Sequence, residues 1–371
     1  MGTRSERGPV LAFTSLFALV AASACQSAAR YAPAQDAPRS AAPWEQQNPT
    51  VPLPRAPLGT EVDFGRATWA TPAKARLGRW LFFDKRLSGD GSVSCASCHD
   101  PEHGLADNAP HSKGARGGVT PRKSPTLLNA AWWPGTAYSW DGHEPTLEAQ
   151  IKGALANPVT MGNTHENAVS LISGIGGYRR AFSEVWVDDR VDIDRIAEAI
   201  AAYEATQVSG NSAYDRFAAG EAQALDAEAK RGRDLFFGKA ECATCHSGWD
   251  FTDSSFHNLG VGWHPVAGAG RDGFADVGHS KVSGRAEDTG AFKTPSLRSV
   301  GQRAPYMHDG SMQTLREVVE HYNRGGTRNP WLSDQIHPLG LSANEVAAVV
   351  SFLEALRGDE SGDRGPAVFP E

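Results

Sequence analysis

The sequence predicts an all-α protein built as two similar halves. Three observations predict it. Apolar residues recur at helical spacing in several segments, strand-like alternation is scarce, and the pentapeptide C-x-x-C-H occurs twice. The two copies are Cys95, Cys98 and His99, then Cys242, Cys245 and His246. The repeat extends beyond them. "LGRWLFFDKRLSGDGSVSCASCH" (77–99) parallels "RGRDLFFGKAECATCH" (231–246), and "SPTLLNAAWWPGTAYSWDGHEPTLEAQ" (124–150) parallels "TPSLRSVGQRAPYMHDGSMQTLREV" (294–318). Each half runs through a helix, the pentapeptide, a loop, [ST]-P-[ST]-L, an aromatic-x-x-D-G turn and a helix opening on Thr-Leu. This order predicts two duplicated domains, 61–218 and 225–358.

The chain opens with Arg4 and Arg7, then "VLAFTSLFALVAASA", an apolar and small-residue run too short to span a bilayer comfortably. Residues 1–25 therefore read as an export signal. Its end, "AASAC" (21–25), resembles the cleavage box of bacterial lipoproteins, with Cys25 as the lipidated anchor; ordinary cleavage near Ala24 is the alternative. Residues 26–60 are rich in Ala, Pro, Gln and Ser and read as a flexible linker. The expected location is the periplasm, with a lipid tether through Cys25. A net charge of −7, with both signs interspersed, gives no sign of nucleic-acid binding.

Helices follow in order. "AKARLGRWLFF", "VDIDRIAEAIAAYEATQV", "AEAKRGRDLFF" and "SANEVAAVVSFLEAL" carry apolar residues at helical spacing, and Ser342 with Glu345 forms a capping box for the last. In "TLREVVEHYNRGG", Leu315, Val318, Val319 and Tyr322 share one face. Long loops, 100–125 and 250–293, suit domains whose centres are filled by a cofactor.

The chain has five cysteines, four of them in the two pentapeptides. Two thiols three residues apart can form thioethers to the two vinyl groups of one haem, with the following histidine as axial iron ligand. A disulfide pair or half of a zinc site is the bland alternative. A zinc site needs a second ligand pair at a fitting spacing, and the two motifs lie far apart. Two covalently bound haem c groups are therefore expected, on Cys95, Cys98, Cys242 and Cys245, with His99 and His246 on the irons. The fold expected is two cytochrome c-like domains.

The order of "LSGDGSVSCASCH", "RKSPTLLNAAW", "SWDG" with "LEAQ", "GRDLFFGKAECATCH", "KTPSLR", "APYMHDGS" and "EHYNRGG" resembles the bacterial di-haem cytochrome c peroxidases and their MauG-like branch. The resemblance covers about residues 70–357. It implies a peroxidatic N-terminal haem that reacts with hydrogen peroxide and an electron-transfer C-terminal haem. It further implies that Trp140 is the tryptophan between them and that Gln150 lines the peroxide pocket, where an amide orients peroxide.

Several positions depart from many family members. Ala115 falls where a distal histidine stands, with His111 four residues earlier, so the N-terminal iron is expected to be open on one side. Thr160 falls on the pocket glutamate, and a hydroxyl is a poor proton shuttle; Glu144, Glu148, His143 and His165 are the compensating candidates. Lys123 falls on an asparagine that helps bind calcium, and an ammonium does not ligate calcium, so a calcium ion stays an open and disfavoured option. Tyr322 falls on the second axial ligand of the C-terminal haem, as in the MauG-like branch, where a phenolate favours higher-valent iron. Met307, Met312 and His308 are its rivals. His103, His257, His264, His279, His321 and His337 read as surface or loop residues.

The function implied is a di-haem peroxidase that reduces hydrogen peroxide through a high-valent di-haem state. Its electrons come from a small cytochrome or copper protein, or from a side chain of a protein substrate. The alternative is a non-catalytic electron carrier or haem-based sensor.

Overall fold

The computed structural model describes residues 41–133, 135, 137–264 and 273–371. The expected signal segment 1–25, with Cys25, and the first part of the expected 26–60 linker lie outside the described residues. Helices run in the order α1 (Pro43–Gln46), α2 (Pro72–Phe83), α3 (Leu147–Ala156), α4 (His165–Gly174), α5 (Gly176–Trp186), α6 (Ile193–Glu204), α7 (Ala213–Ala218), α8 (Ala227–Phe237), α9 (Ser280–Ser283), α10 (Leu315–Asn323) and α11 (Ala343–Glu354). Strands β1 (Phe256–Asn258) and β4 (Ala291–Lys293) pair antiparallel, with Phe256 opposite Lys293. So do β2 (Trp263–His264) and β3 (Gly273–Phe274). The protein is mostly helical, and its two short ribbons pin down the 250–293 loop.

The helix ends follow side-chain chemistry. Thr71 accepts from the Lys74 N–H, with Pro72 at the first helical position of α2. Asp192 accepts from the Arg195 N–H at the start of α6. Thr314 with Glu317 and Ser342 with Glu345 close capping boxes on α10 and α11. Each cap contributes about 1 kcal/mol.

Two apolar cores form. The first gathers Leu77, Trp80 and Leu81 of α2 with Ile196 and Ile200 of α6, and with Leu147, Ile172 and Phe182 from the helices between. The second joins Phe236 of α8, Val319 of α10 and Val349 and Phe352 of α11. In each core one helix pair crosses at a glycine. A Cβ on Gly78 would lie 1.7 Å from the Ala199 carbonyl oxygen, and one on Gly232 would lie 1.8 Å from that of Ala348. Only a bare Cα permits such an approach.

The expected linker is not free along its whole length. Trp44 of α1 is buried and meets Trp80 edge-on, with ring centroids 5.2 Å apart. Asn48 Nδ2 donates to Val368 O at 3.2 Å. An indole that can leave water against a ready core docks, and the surrounding Ala/Pro/Gln composition hides that single anchor. The far end of the chain does the same. Arg79 pairs with Asp363 through Nε and Nη2, both at 2.7 Å, the Tyr203 hydroxyl donates to Asp363 at 3.0 Å, and Gly177 N–H donates to Glu371 O at 2.6 Å. Residues 359–371 thus strap the first half, beyond the 225–358 segment.

Candidate functional site

Each C-x-x-C-H segment opens as a tight helical turn, Cys95–Ser97 and Cys242–Thr244. The His99 N–H donates to Cys95 O and the His246 N–H to Cys242 O, both at 2.9 Å. None of these four cysteines is in a disulfide. Burial pushes the thiols of Cys95 and Cys98 up, that of Cys242 up to about 12 and that of Cys245 up to about 11.

The histidines are oriented by the backbone. His99 Nδ1 lies 3.2 Å from Leu105 O and 3.0 Å from Pro125 O. His246 Nδ1 lies 2.9 Å from Phe251 O. A carbonyl only accepts, so Nδ1 carries the ring proton in both, and Nε2 is the nitrogen able to ligate a metal. Burial lowers both imidazoles, which keeps them neutral.

The zinc alternative finds no such order. Among the described residues the group with metal-ligand spacing is Cys245, Asp253 and His257, which takes one cysteine of the pair and leaves out His246. A thiol pair with its histidine beside an apolar cavity, as at Cys242, Cys245 and His246, fits a haem better than a tetrahedral ion.

That cavity lies over His246. It measures about 1460 Å³ out to its mouth, and its lining includes Cys242, Cys245, His246, Phe236, Leu315 and Tyr322. Among the described residues, the Tyr322 hydroxyl has no hydrogen-bond partner. Burial, then Cys242 and Cys245, raises the phenol well above its usual value. A phenol so placed deprotonates only with a cation against it. Met307 and His308 line the same cavity and Met312 does not. His308 stacks on Phe292 at 3.6 Å, and burial lowers it to about 4.

Trp140 lines this cavity and a second one of about 680 Å³. Its Nε1 donates to Lys123 O at 2.8 Å, and its carbonyl accepts from the Lys293 N–H at 2.8 Å. Lys123 is buried, and its Nζ donates to Asp107 O. Burial lowers the ammonium groups of Lys123 and Lys293 to about 8, and the Arg303 guanidinium to about 10.

On the N-terminal side, Ala115 is fully buried, and its N–H donates to Thr160 O at 2.7 Å. His111 is exposed. The Thr160 hydroxyl is committed to the backbone, donating to Ala154 O at 2.6 Å, so it fastens the end of α3. Ser139 donates to Gln150 Oε1, which fixes the amide and leaves its NH₂ to donate elsewhere. His143 pairs with Asp141 at 2.5 Å near the surface, and His165 bonds Lys152 O at 2.9 Å.

Sequence reasoning missed Glu204. It is 3% exposed, its Oε2 has no partner, and burial followed by the charge of Glu148 raises it to about 8. Its charge also bears on Cys95. The available signal was position: Ile196, Ile200 and Glu204 follow at four-residue steps on the buried stripe of α6. His321, expected at the surface, is 5% exposed, with Nε2 2.9 Å from Leu259 O. α10 is covered on more than the face its apolar residues mark.

Comparison with known proteins agrees with this geometry. The family described as di-haem cytochrome c peroxidase matches residues 72–223. Methylamine utilization protein MauG of Methylorubrum extorquens is 39% identical over 299 residues, spanning 80% of this chain and 82% of that protein. Cytochrome c551 peroxidase of Nitrosomonas europaea is 36% identical over 296 residues, spanning 80% and 83%. The crystal structure of a MauG-like protein associated with microbial copper homeostasis superposes with a TM-score of 0.71 at 32% identity, covering 84% of this chain and 94% of that one. The chain belongs to the di-haem cytochrome c peroxidase family, on its MauG-like side, and is an oxidoreductase acting on hydrogen peroxide.

Proposed function

We propose that two haem c groups are held covalently, one by Cys95, Cys98 and His99 and one by Cys242, Cys245 and His246, and that peroxide reacts at the first. Bound haem supplies the iron that takes up the oxidising equivalents of peroxide. Ala115, with only a methyl side chain, would offer no ligand atom to the first haem. Gln150, held by Ser139, offers its NH₂ to peroxide. Tyr322 would supply an oxygen ligand to the haem over His246, and Trp140 would carry charge between the two centres.

The observation that carries this reading is that Trp140 lines the Tyr322 and His246 cavity while its indole is bonded to Lys123, whose near neighbour Pro125 holds His99. A duplication into domains 61–218 and 225–358 is supported by the matched glycine crossings at Gly78 and Gly232. The electrons come from a small cytochrome or copper protein, or from a protein side chain, and the hard oxygen of Tyr322 favours the side-chain source. The protein acts in the periplasm, with Cys25 as its lipid anchor.

The test is electron paramagnetic resonance of the ferric protein with two haems per chain. One high-spin and one low-spin centre are expected, with Tyr322→His altering the low-spin signal alone. A bis-histidine signal that His111→Ala abolishes overturns the open N-terminal iron.

A further inference from the structure

Three buried cations line one cavity. Lys123, Lys293 and Arg303 are each at most 7% exposed, and all three border the 680 Å³ space beside Trp140. Among the described residues none of them is in an ion pair. Lys123 Nζ donates to the Asp107 backbone carbonyl. Lys293 Nζ rests 3.6 Å from the centre of the Trp133 ring. Arg303 Nη2 donates to Ser296 O at 2.7 Å, and its Nε has no partner.

Among the described residues no Asp or Glu lines this cavity. Three carboxylates bear on the cations, Asp107, Asp250 and Glu360, and none is within ion-pair distance of them; Glu360 is hydrogen-bonded to Ser299. Asp107 Oδ1 accepts from the Ala109 N–H at 2.8 Å. Asp250 Oδ1 accepts from Asn129 Nδ2 and Ser296 Oγ, both at 2.9 Å, and its Oδ2 stays beyond ion-pair range of Lys293 and Arg303. Buried charge is costly unless it is paired, so the fold holds positive charge in reserve for an anion from outside the polypeptide.

Trp140, Lys293, Pro295, Leu297, Tyr306 and Met307 line both this cavity and the larger one over His246. The anion is therefore expected on whatever fills the larger cavity. A flat apolar ring with two carboxylate arms meets both demands.

We propose that the cation-lined cavity receives the propionate carboxylates of the haem over His246, with Lys123, Lys293 and Arg303 as their partners. This rests on the di-haem reading above. The lysine at the family's calcium-binding position then works on the opposite principle: fixed ammonium and guanidinium groups meet the carboxylates directly.

The test uses the loaded protein, with haem carboxyls labelled from isotope-enriched aminolevulinate and read by infrared difference spectroscopy between oxidised and reduced states. In the native protein the label-sensitive bands should be those of ionised carboxylates at neutral pH. In Lys123→Gln, Lys293→Gln or Arg303→Gln a label-sensitive carbonyl stretch of a protonated acid should appear. The midpoint potential of the C-terminal haem should also shift down and become pH-dependent. Arg303→Lys keeps the charge and should keep the acid ionised while moving its band; it serves where a Gln variant does not fold. Two haems per chain with bands and potentials that ignore all these changes overturn the proposal alone. A native protein that holds no haem overturns the di-haem reading along with it.

Discussion

Trp140 is bonded to Lys123 through its indole Nε1, at 2.8 Å. The bond fixes the ring plane against both cavities and ties it to the segment that holds His99. Replacing Trp140 with Phe removes the donor and leaves the Lys123 carbonyl to find another. A stability loss of about 1 kcal/mol is expected from the hydrogen bond. Both haems should stay attached and peroxide should still be consumed, while oxidation of a separate donor protein slows. Stopped-flow absorbance with and without donor checks this, and equal donor rates in both proteins would sink the bridging role.

Tyr322 faces its cavity with no partner for its hydroxyl among the described residues. Tyr322→Phe should convert the C-terminal iron from low-spin to high-spin without loss of haem. A spectrum unchanged in Tyr322→Phe would transfer the ligand role to Met307 or His308, which line the same cavity.

Glu204 gives the protein an acid-side stability. Its carboxyl rises from an ordinary 4.5 to about 8 in the folded chain because burial and Glu148 oppose its charge. The folded state therefore holds a proton that the unfolded chain releases between those values. Stability from this group is fully present below pH 4.5 and is lost as pH rises through about 8. Glu204→Gln should flatten that decline and leave the protein more stable than the parent at about pH 8. Thermal melts at a series of pH values check it, and a parallel pair of curves would mean that Glu204 is ionised throughout.

The two glycine crossings should be equally intolerant. Gly78→Ala and Gly232→Ala each push a methyl into a helix backbone, at 1.7 Å and 1.8 Å from a carbonyl oxygen. Each should cost about 3 kcal/mol through overpacking. Urea unfolding of the loaded protein measures it, and a loss within experimental error at either site would mean that the crossing relaxes freely.

Much of this is legible in the sequence where periodicity or spacing is local. The helices α2, α6, α8, α10 and α11 follow from apolar spacing, and the capping pairs fix their starts. The thiol–imidazole motifs are local by nature. Lys293 and Arg303 are different. A lysine in "FKTPS" looks like a surface charge, and its burial depends on Trp133 and Trp140, which come from the other half of the chain. Thr160 illustrates the same limit. A hydroxyl free to hold water and one spent on Ala154 O are identical as letters. Glu204 was readable on the stripe of α6, but a carboxylate at the last turn of a helix passes for a solvated end.

The strap from 359 to 371 makes the end of the chain part of its beginning. Asp363 and Glu371 reach Arg79 and Gly177, so the first half is completed by residues that lie beyond the second. A polypeptide delivered N-terminus first cannot close its leading half until residues 359–371 have arrived. A cut that removes these residues is therefore a change to the first half. The order in which the two halves mature is set by chain length as much as by their own packing.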